Sequence, residues 1–232
     1  MKNLSIIIPV FNECNNLIKL TKLIKSEIRL KNYEVIFVDD DSNDGSKKVL
    51  RQIKKKNNKF SFILRKEKPR DLSRSCFLGF SKSKFDNILV MDGDLQHDPK
   101  DINKLIKAYK KYKPEIVVGS RNLFNVENRS LGFVRLVASK LLILIVRFLL
   151  GNRTTDPMSG FFLFKKNLLK KKKKFHRIGY KILLDLIYPI NYNIKIIDVD
   201  INFKTRKIGC SKMNLKVLVI LIYVILAKFF RL

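Results

Sequence analysis

The run NILVMDGDLQHDP, residues 87–99, decides the fold. Its first five residues read as a buried strand, which breaks into Asp92, Gly93 and Asp94. Residues two apart on a strand share a face, so both carboxylates aim at one spot beyond the strand end. Two such charges repel unless something positive sits between them, either a metal ion or a lysine. A lone D-x-D is weak by itself, because acidic turn residues are common after strands. Its place behind a β-branched strand, with Gly93 between the acids, strengthens it.

Outward from this run, short apolar stretches alternate with helical periodicity. Strands are expected over 4–10, 34–39, 60–64, 87–91 and 115–119, and helices over 15–30, 46–56, 72–82 and 99–112. Such alternation implies an α/β fold with a mostly parallel sheet flanked by helices on both faces. Ligands then bind outside the carboxyl ends of the strands. The polar clusters stand there: Asn12 and Glu13 after the first strand, Asp39 to Asp41 after the second, Asp92 and Asp94 after the fourth, Arg121 after the fifth. No glycine-rich phosphate loop of the G-x-G-x-x-G or Walker type is present, so anionic groups must be met by cations.

After residue 131 the pattern changes. Residues 131–150 form a long helix with few polar positions, Arg135, Ser139, Lys140 and Arg147. At 100° per residue Arg135 and Ser139 lie about 40° apart and Lys140 and Arg147 about 20° apart, leaving more than half the circumference apolar. Either protein covers that helix on both sides, or it lies in a membrane interface. A second apolar segment from Asn214, with VLVILIYVILA between Lys216 and Lys228, favours the membrane. Eleven apolar residues fall short of the ~20 that a span requires. Between these helices TDPMSGFFLFKK reads as a turn and a strand, and IKIIDVDINFKTRKIGCSK as a strand and a basic loop.

The bulk composition narrows the function classes. With 232 residues, 46% of them hydrophobic, the chain suits one substantial domain with appendages. Cys14, Cys76 and Cys210 show neither paired spacing nor an even count, which argues against a disulfide framework or zinc site and suits a reducing compartment. The opening MKNLSIIIPVFNE, broken by Pro9, reads as a first strand and not as a leader. A formal net charge of +29 favours polyanions: nucleic acid, an anionic membrane surface or phosphorylated substrates. A Lys- and Asn-rich composition drawn from an AT-biased genome explains the same excess. The lysine run 170–174 reads as a solvated face. A nucleic-acid-binding protein would leave the acidic strand ends unexplained, since carboxylates repel phosphate; no nucleic-acid partner is expected.

The segments SIIIPVFNE, VDDDSNDGS, VMDGDLQHDP, VVGSR, DPMSGFF and the basic R…GCSK occur in one order along the chain. In that order and approximate spacing they resemble the inverting GT-A glycosyltransferases of the polyprenol-phosphate branch, most of all the dolichol-phosphate mannosyltransferases, over essentially the whole length. The resemblance implies a GT-A (Rossmann-like) domain over 1–213, including an interface helix at about 131–150, and a C-terminal amphipathic interface helix over 214–232. It implies transfer of a hexosyl group, mannosyl favoured, from a nucleotide sugar such as GDP-mannose to a polyprenyl phosphate. A UDP-sugar donor on the same lipid is the alternative.

Site roles follow from the same resemblance. Pro9, Phe11, Glu13, Val38 and Asp40 match positions that hold the base and ribose; Phe11 stands where the family usually has tyrosine, so a hydroxyl contact is missing. Asp92, Gly93, Asp94 and Gln96 match the metal and donor-diphosphate motif, with Asp92, Asp94 and Gln96 as ligands of Mg²⁺ or Mn²⁺. Arg121 matches an arginine at the phosphates, Arg135 and Ser139 the acceptor-phosphate site, and Arg206 and Lys212 the pair closing over donor and acceptor. Asp156, Ser159 and Gly160 match the sugar-side loop. His97 competes with Gln96 as a ligand, and the family pattern favours Gln96. His176 is expected in solvent, and Asp44, Asp71 and Asp185 in caps, turns or ion pairs. The expected location is the cytoplasmic face of a membrane, held peripherally or monotopically, with a separate membrane subunit as a possible anchor.

Overall fold

Alternation with period two runs through every central strand, and it sorts the core into two halves. In the computed structural model, which describes residues 1–121, 133–171, 179, 181–188, 194–205 and 215–230 (side chains excepted at 133–136, 138, 171 and 215–218), strand β1 spans Asn3–Val10 and β2 spans Asn32–Asp39. Ile6, Ile8, Val35 and Phe37 point into one cluster, whereas Ile7, Ile36 and Val38 point into the other. Both faces of the sheet are therefore apolar, as a helix-covered parallel sheet requires.

Helices α1 (Cys14–Glu27), α2 (Ser46–Lys56) and α4 (Asp101–Tyr112) cover the first face through Leu17, Leu20, Leu50, Ile53, Ile102 and Leu105. Helix α3 (Leu72–Lys82) covers the second through Cys76 and Phe80. Strands β3 (Phe60–Leu64), β4 (Asn87–Val90) and β5 (Ile116–Ser120) complete the part expected from periodicity. Differences are confined to element ends. Helix α1 stops at Glu27 because Ile28 turns to extended backbone with φ −73° and ψ 117°; its side chain is buried in the first cluster.

The second half departs from a plain parallel order. Helix α5 (Phe133–Leu150) is followed by β6 (Phe162–Lys165), the short helices α6 (Leu168–Lys171) and α7 (Ile182–Ile187), β7 (Ile196–Asp200) and α8 (Leu215–Phe229). The sheet order is β3-β2-β1-β4-β6-β5-β7. Strand β6 is antiparallel to both β4 and β5, and the other pairings are parallel. Periodicity did not reveal α6 and α7, the first having four residues and the second six that are apolar apart from Asp185.

Helix α5 buries Ile143 and Val146 in the second cluster, and α8 buries Leu221 and Ile225 there. The two helices pack against each other. Their outer sides remain apolar: Val137, Leu141, Leu144 and Phe148 on α5, and Val219, Ile222, Tyr223 and Leu226 on α8, are exposed. Lys228 is buried, donating to Asp185 Oδ1 at 2.8 Å and to the Tyr188 carbonyl at 2.6 Å, which ties α8 to α7. No helix among the described residues is long and apolar enough to cross a membrane.

Candidate active site

Strand β4 ends where its alternation delivers an acid. Val90 points into the second cluster, so Asp92, two residues on, leans to the same side. The register Val90↔Phe162 carries on to set Gly160 opposite Asp92. A methyl group at residue 160 would lie 2.6 Å from Asp92 Oδ2, so only glycine leaves room for this carboxylate. Asp92 is partly open, with 34% of its side chain exposed, whereas Asp94 is buried. Asp94 Oδ1 accepts from the Gln96 N–H at 3.1 Å, and Gln96 Nε2 donates to the Lys204 carbonyl at 3.1 Å.

Three left-handed residues other than glycine follow the strands that build this end: Asn12 (φ 55°) after β1, Asp41 (φ 59°) after β2 and Leu95 (φ 62°) after β4. Such conformations are costly and gather at ligand sites. Among the described residues, Asp39 Oδ2 and His97 Nε2 at this end are buried without a hydrogen-bond partner. Buried polar atoms are nearly always satisfied, so these orphans agree with a site that a ligand completes.

His97 lies between Phe161, stacked at 5.1 Å, and Phe203 at 5.3 Å. Its Nδ1 accepts from the Asp92 N–H at 3.4 Å, which assigns the ring proton to Nε2. Burial pushes the imidazole down to about 4 from its ordinary 6.5. Between these values the unfolded chain binds the proton and the folded one does not. Stability is therefore complete above pH 6.5 and falls by about 3 kcal/mol as the pH drops toward 4. Urea unfolding of the metal-free protein across that window measures the loss, and His97→Gln is expected to flatten it.

Arg121, just past β5, is held by Asp156 in a two-pronged pair: Nε donates to Oδ2 at 2.6 Å and Nη2 to Oδ1 at 2.8 Å. Burial opposes both charges, but each sustains the other; the Asp156 carboxyl stays below its usual range and the guanidinium above its own. The loop carrying Asp156 is anchored by Asp198, which accepts from Thr154 Oγ1 at 2.6 Å and the Thr155 N–H at 2.7 Å. Ser159 Oγ donates to the Gly119 carbonyl at 2.6 Å.

These pieces close around a cavity of about 60 Å³ whose walls include Asp92, His97, Arg121, Ser159, Gly160 and Lys181. Lys181 was not singled out in the sequence. It heads α7 and becomes part of the site only because the fold sets α7 beside the end of β4.

The nucleotide-side residues gather next to this cavity. Pro9, Glu13, Val38 and Asp40 are buried, and Phe11 is half-buried with the Arg70 guanidinium 4.7 Å above its ring. Glu13 Oε2 accepts from Asn16 Nδ2 at 2.7 Å and its Cγ lies 3.8 Å from where a side chain on Gly93 would begin. Asp40 receives the buried Arg65 guanidinium on Oδ1 and the Asp71 N–H at 2.7 Å on Oδ2.

Asp71 caps α3 through the Arg74 N–H, Asp44 accepts from the Cys14 and Ser46 N–H groups, and Asp185 pairs with Lys228; all three do structural work, as expected. Arg135 and Ser139 lie on α5, Ser139 half-buried, and the Arg135 side chain is outside the described set. Arg206, Lys212, His176 and Cys210 lie outside the described residues.

The donor set suits a hard divalent ion. Asp92 and Asp94 would offer carboxylate oxygens, and among the described residues no group of three or more His, Cys, Asp or Glu side chains gathers as a ready-made metal cage. That count fits an ion held by one or two carboxylates and completed by substrate phosphates, as Mg²⁺ usually is.

Comparison with known proteins gives the family and the fold. The model of Glycosyl transferase family 2 matches residues 5–172. A dolichol-phosphate mannosyltransferase of Pyrococcus furiosus is 34% identical over 213 residues, covering 90% of this chain and 59% of that protein, so the chain spans less than two thirds of its length. The dolichol-phosphate mannosyltransferase of Saccharomyces cerevisiae is 30% identical over 225 residues, covering 93% of this chain and 82% of that one. Among solved structures, mannosyltransferase PcManGT from Pyrobaculum calidifontis, in complex with GDP-Man and Mn²⁺, superposes with a TM-score of 0.65 at 16% identity, covering 99% of this chain and 63% of that one. At that identity the likeness speaks to the GT-A fold alone.

Proposed function

Because the chain belongs to glycosyl transferase family 2, we propose that it transfers a mannosyl group from GDP-mannose to a polyprenyl phosphate, inverting the anomeric centre. The observation that carries this reading is one cavity walled by a partly open carboxylate, Asp92, and by two cationic side chains, Arg121 and Lys181. A site for an anionic donor and an anionic acceptor needs both signs of charge within reach. The names of the relatives support mannosyl and dolichol phosphate as the two substrates.

A lipid monophosphate is already ionised at neutral pH, so its oxygen attacks the anomeric carbon without a protein base. Buried and neutral, His97 is not needed as one. The chain has to suppress repulsion between the anionic nucleophile and the anionic leaving group. Asp92 and Asp94, with Gln96, would hold Mg²⁺ or Mn²⁺, which supplies charge neutralisation at the donor diphosphate. Arg121 works on the acceptor side, its guanidinium oriented by Asp156, together with Arg135, Ser139, Arg206 and Lys212. Pro9, Phe11, Glu13, Val38 and Asp40 receive the base and ribose.

The open apolar sides of α5 and α8 are read as the surface that meets the membrane interface, where a polyprenol would present its phosphate. This makes the protein peripheral or monotopic on the cytoplasmic face. Its surface charge of the same sign as lysine, with +29 overall, favours anionic lipid.

The test is a donor panel, GDP-mannose against UDP-glucose, with a short polyprenyl phosphate and with or without Mn²⁺. Mannosyl transfer that needs the ion is expected; transfer from UDP-glucose alone would reassign the donor, and product from neither would defeat the reading. Gly160→Ala probes the site more finely. The added methyl would sit 2.6 Å from Asp92 Oδ2 and turn the carboxylate aside, so kcat/KM should fall about 10²-fold while circular dichroism and thermal unfolding stay close to those of the parent.

A further inference from the structure

Lys181 is the only residue of the 181–188 stretch that is not buried. Ile182 through Ile187 are all in the core, so its backbone is fixed by packing, the condition under which a binding group is held in place. Its Nζ donates to the Met158 carbonyl at 3.0 Å, which sets the ammonium beside Ser159 and Gly160 in the cavity wall. The other charged side chains in that wall are Arg121, which Asp156 orients at 2.6 Å, and the Asp92 carboxylate; Lys181 adds a second cation beside Arg121.

The cavity of about 60 Å³ compares with the 10–15 Å³ that one water occupies on the same measure. It has room for about four oxygen-sized groups, which is the size of a phosphoryl head. Its apolar walls, Val90, Met158, Phe162 and Ile182, belong to the core half that α5 and α8 cover. Asp185, one turn beyond Lys181, is where α8 is latched through Lys228. A lipid lying along the open sides of α5 and α8 would bring its phosphate to this half of the molecule.

Resting on the function proposed above, we propose that Lys181 binds the monophosphate of the lipid acceptor, its ammonium donating to a phosphoryl oxygen inside this cavity. A charge-assisted bond of this kind is worth a factor of about ten or more in affinity. Lys181→Met keeps the aliphatic stem and removes the charge, and Lys181→Gln serves as a second neutral variant if the first fails to fold by thermal unfolding.

Calorimetric titration with a ten-carbon polyprenyl phosphate should show binding weakened about tenfold or more in the neutral variant, with most of it recovered in Lys181→Arg. The matching alcohol should bind parent and variants alike. In steady-state assays the acceptor KM should rise by the same factor while the GDP-mannose KM stays within about twofold. Unchanged acceptor affinity overturns the assignment, as does a rise in donor KM alone, which would hand the lysine to the diphosphate. Parent protein that binds the lipid phosphate, loses it in Lys181→Met and yet transfers nothing from GDP-mannose would sink the function proposed above and leave the lysine's assignment standing. Parent protein that does not bind the lipid phosphate sinks both.

Discussion

Asp92→Asn is expected to lower the rate of mannosyl transfer about 10²–10³-fold and to leave the fold intact. The change removes one negative charge and almost no volume from a side chain with 34% exposure, so little core packing depends on it. The loss in rate comes from chemistry. Of the carboxylates at the end of β4, Asp92 is the one that opens to the cavity; in the proposed role it would hold the cation, and an amide oxygen in its place would be a much weaker ligand and would leave the donor diphosphate under-neutralised. Several kcal/mol of charge stabilisation are at stake in such sites. Two further readouts separate this reading from others. Raising Mn²⁺ should recover part of the rate in the variant and none in a variant that had merely unfolded. If the chain were a basic nucleic-acid binder, the same substitution would leave polyanion affinity unchanged or raise it, since it removes a repulsive charge. Transfer within threefold of the parent would remove Asp92 from the site.

What could be read from the residues, and what could not, divides along contact range. The first five strands and the helices between them are local patterns: Ile6 to Ile8 alternate between two core halves, and α2 and α4 carry apolar stripes at helical spacing. Asp92 was legible for the same reason, since it follows Val90 by two residues at the strand's end; Asp94 lies past that end, where strand alternation no longer fixes its direction. The antiparallel insertion of β6 between β4 and β5 is a different matter. FFLF reads as a strand in any sheet, and nothing local says which neighbours it takes. Yet that insertion is what presses Gly160 against Asp92 and delivers Asp156 to Arg121, 35 residues away in sequence. Lys181 was invisible for a further reason. In a chain with 49 lysines and arginines one more carries no signal, and only the burial of α7 beneath it singles it out. Helix α7 itself has too few residues to show a period.

Asp156→Asn is expected to cost about 3–5 kcal/mol of stability, the usual loss when one partner of a buried ion pair is removed. The pair qualifies because its side chains are only 10% and 2% exposed, and removing the carboxylate takes the two-pronged partner from a buried guanidinium on which the Asp92 carboxylate also acts. Chemical denaturation near neutral pH measures the loss. Acid offers a second view of the same interaction. Because Arg121 outweighs burial and holds the Asp156 carboxyl below its usual range, the pair's contribution is present above the ordinary carboxylate value near ~3.9 and disappears only as the pH falls beneath it. The variant should lack that acid limb. Replacing both partners with apolar residues of similar size, Arg121→Met with Asp156→Leu, should return much of the stability, since an apolar pair needs no compensation for lost hydration. It should not return activity, because the guanidinium is assigned to the acceptor phosphate as well as to the core. A double variant that regained both would show that Arg121 serves packing alone. One that regained stability while staying inactive would show the same two hydrogen bonds doing two jobs: holding the loop of Asp156 against β5 and fixing a positive charge where the phosphate arrives.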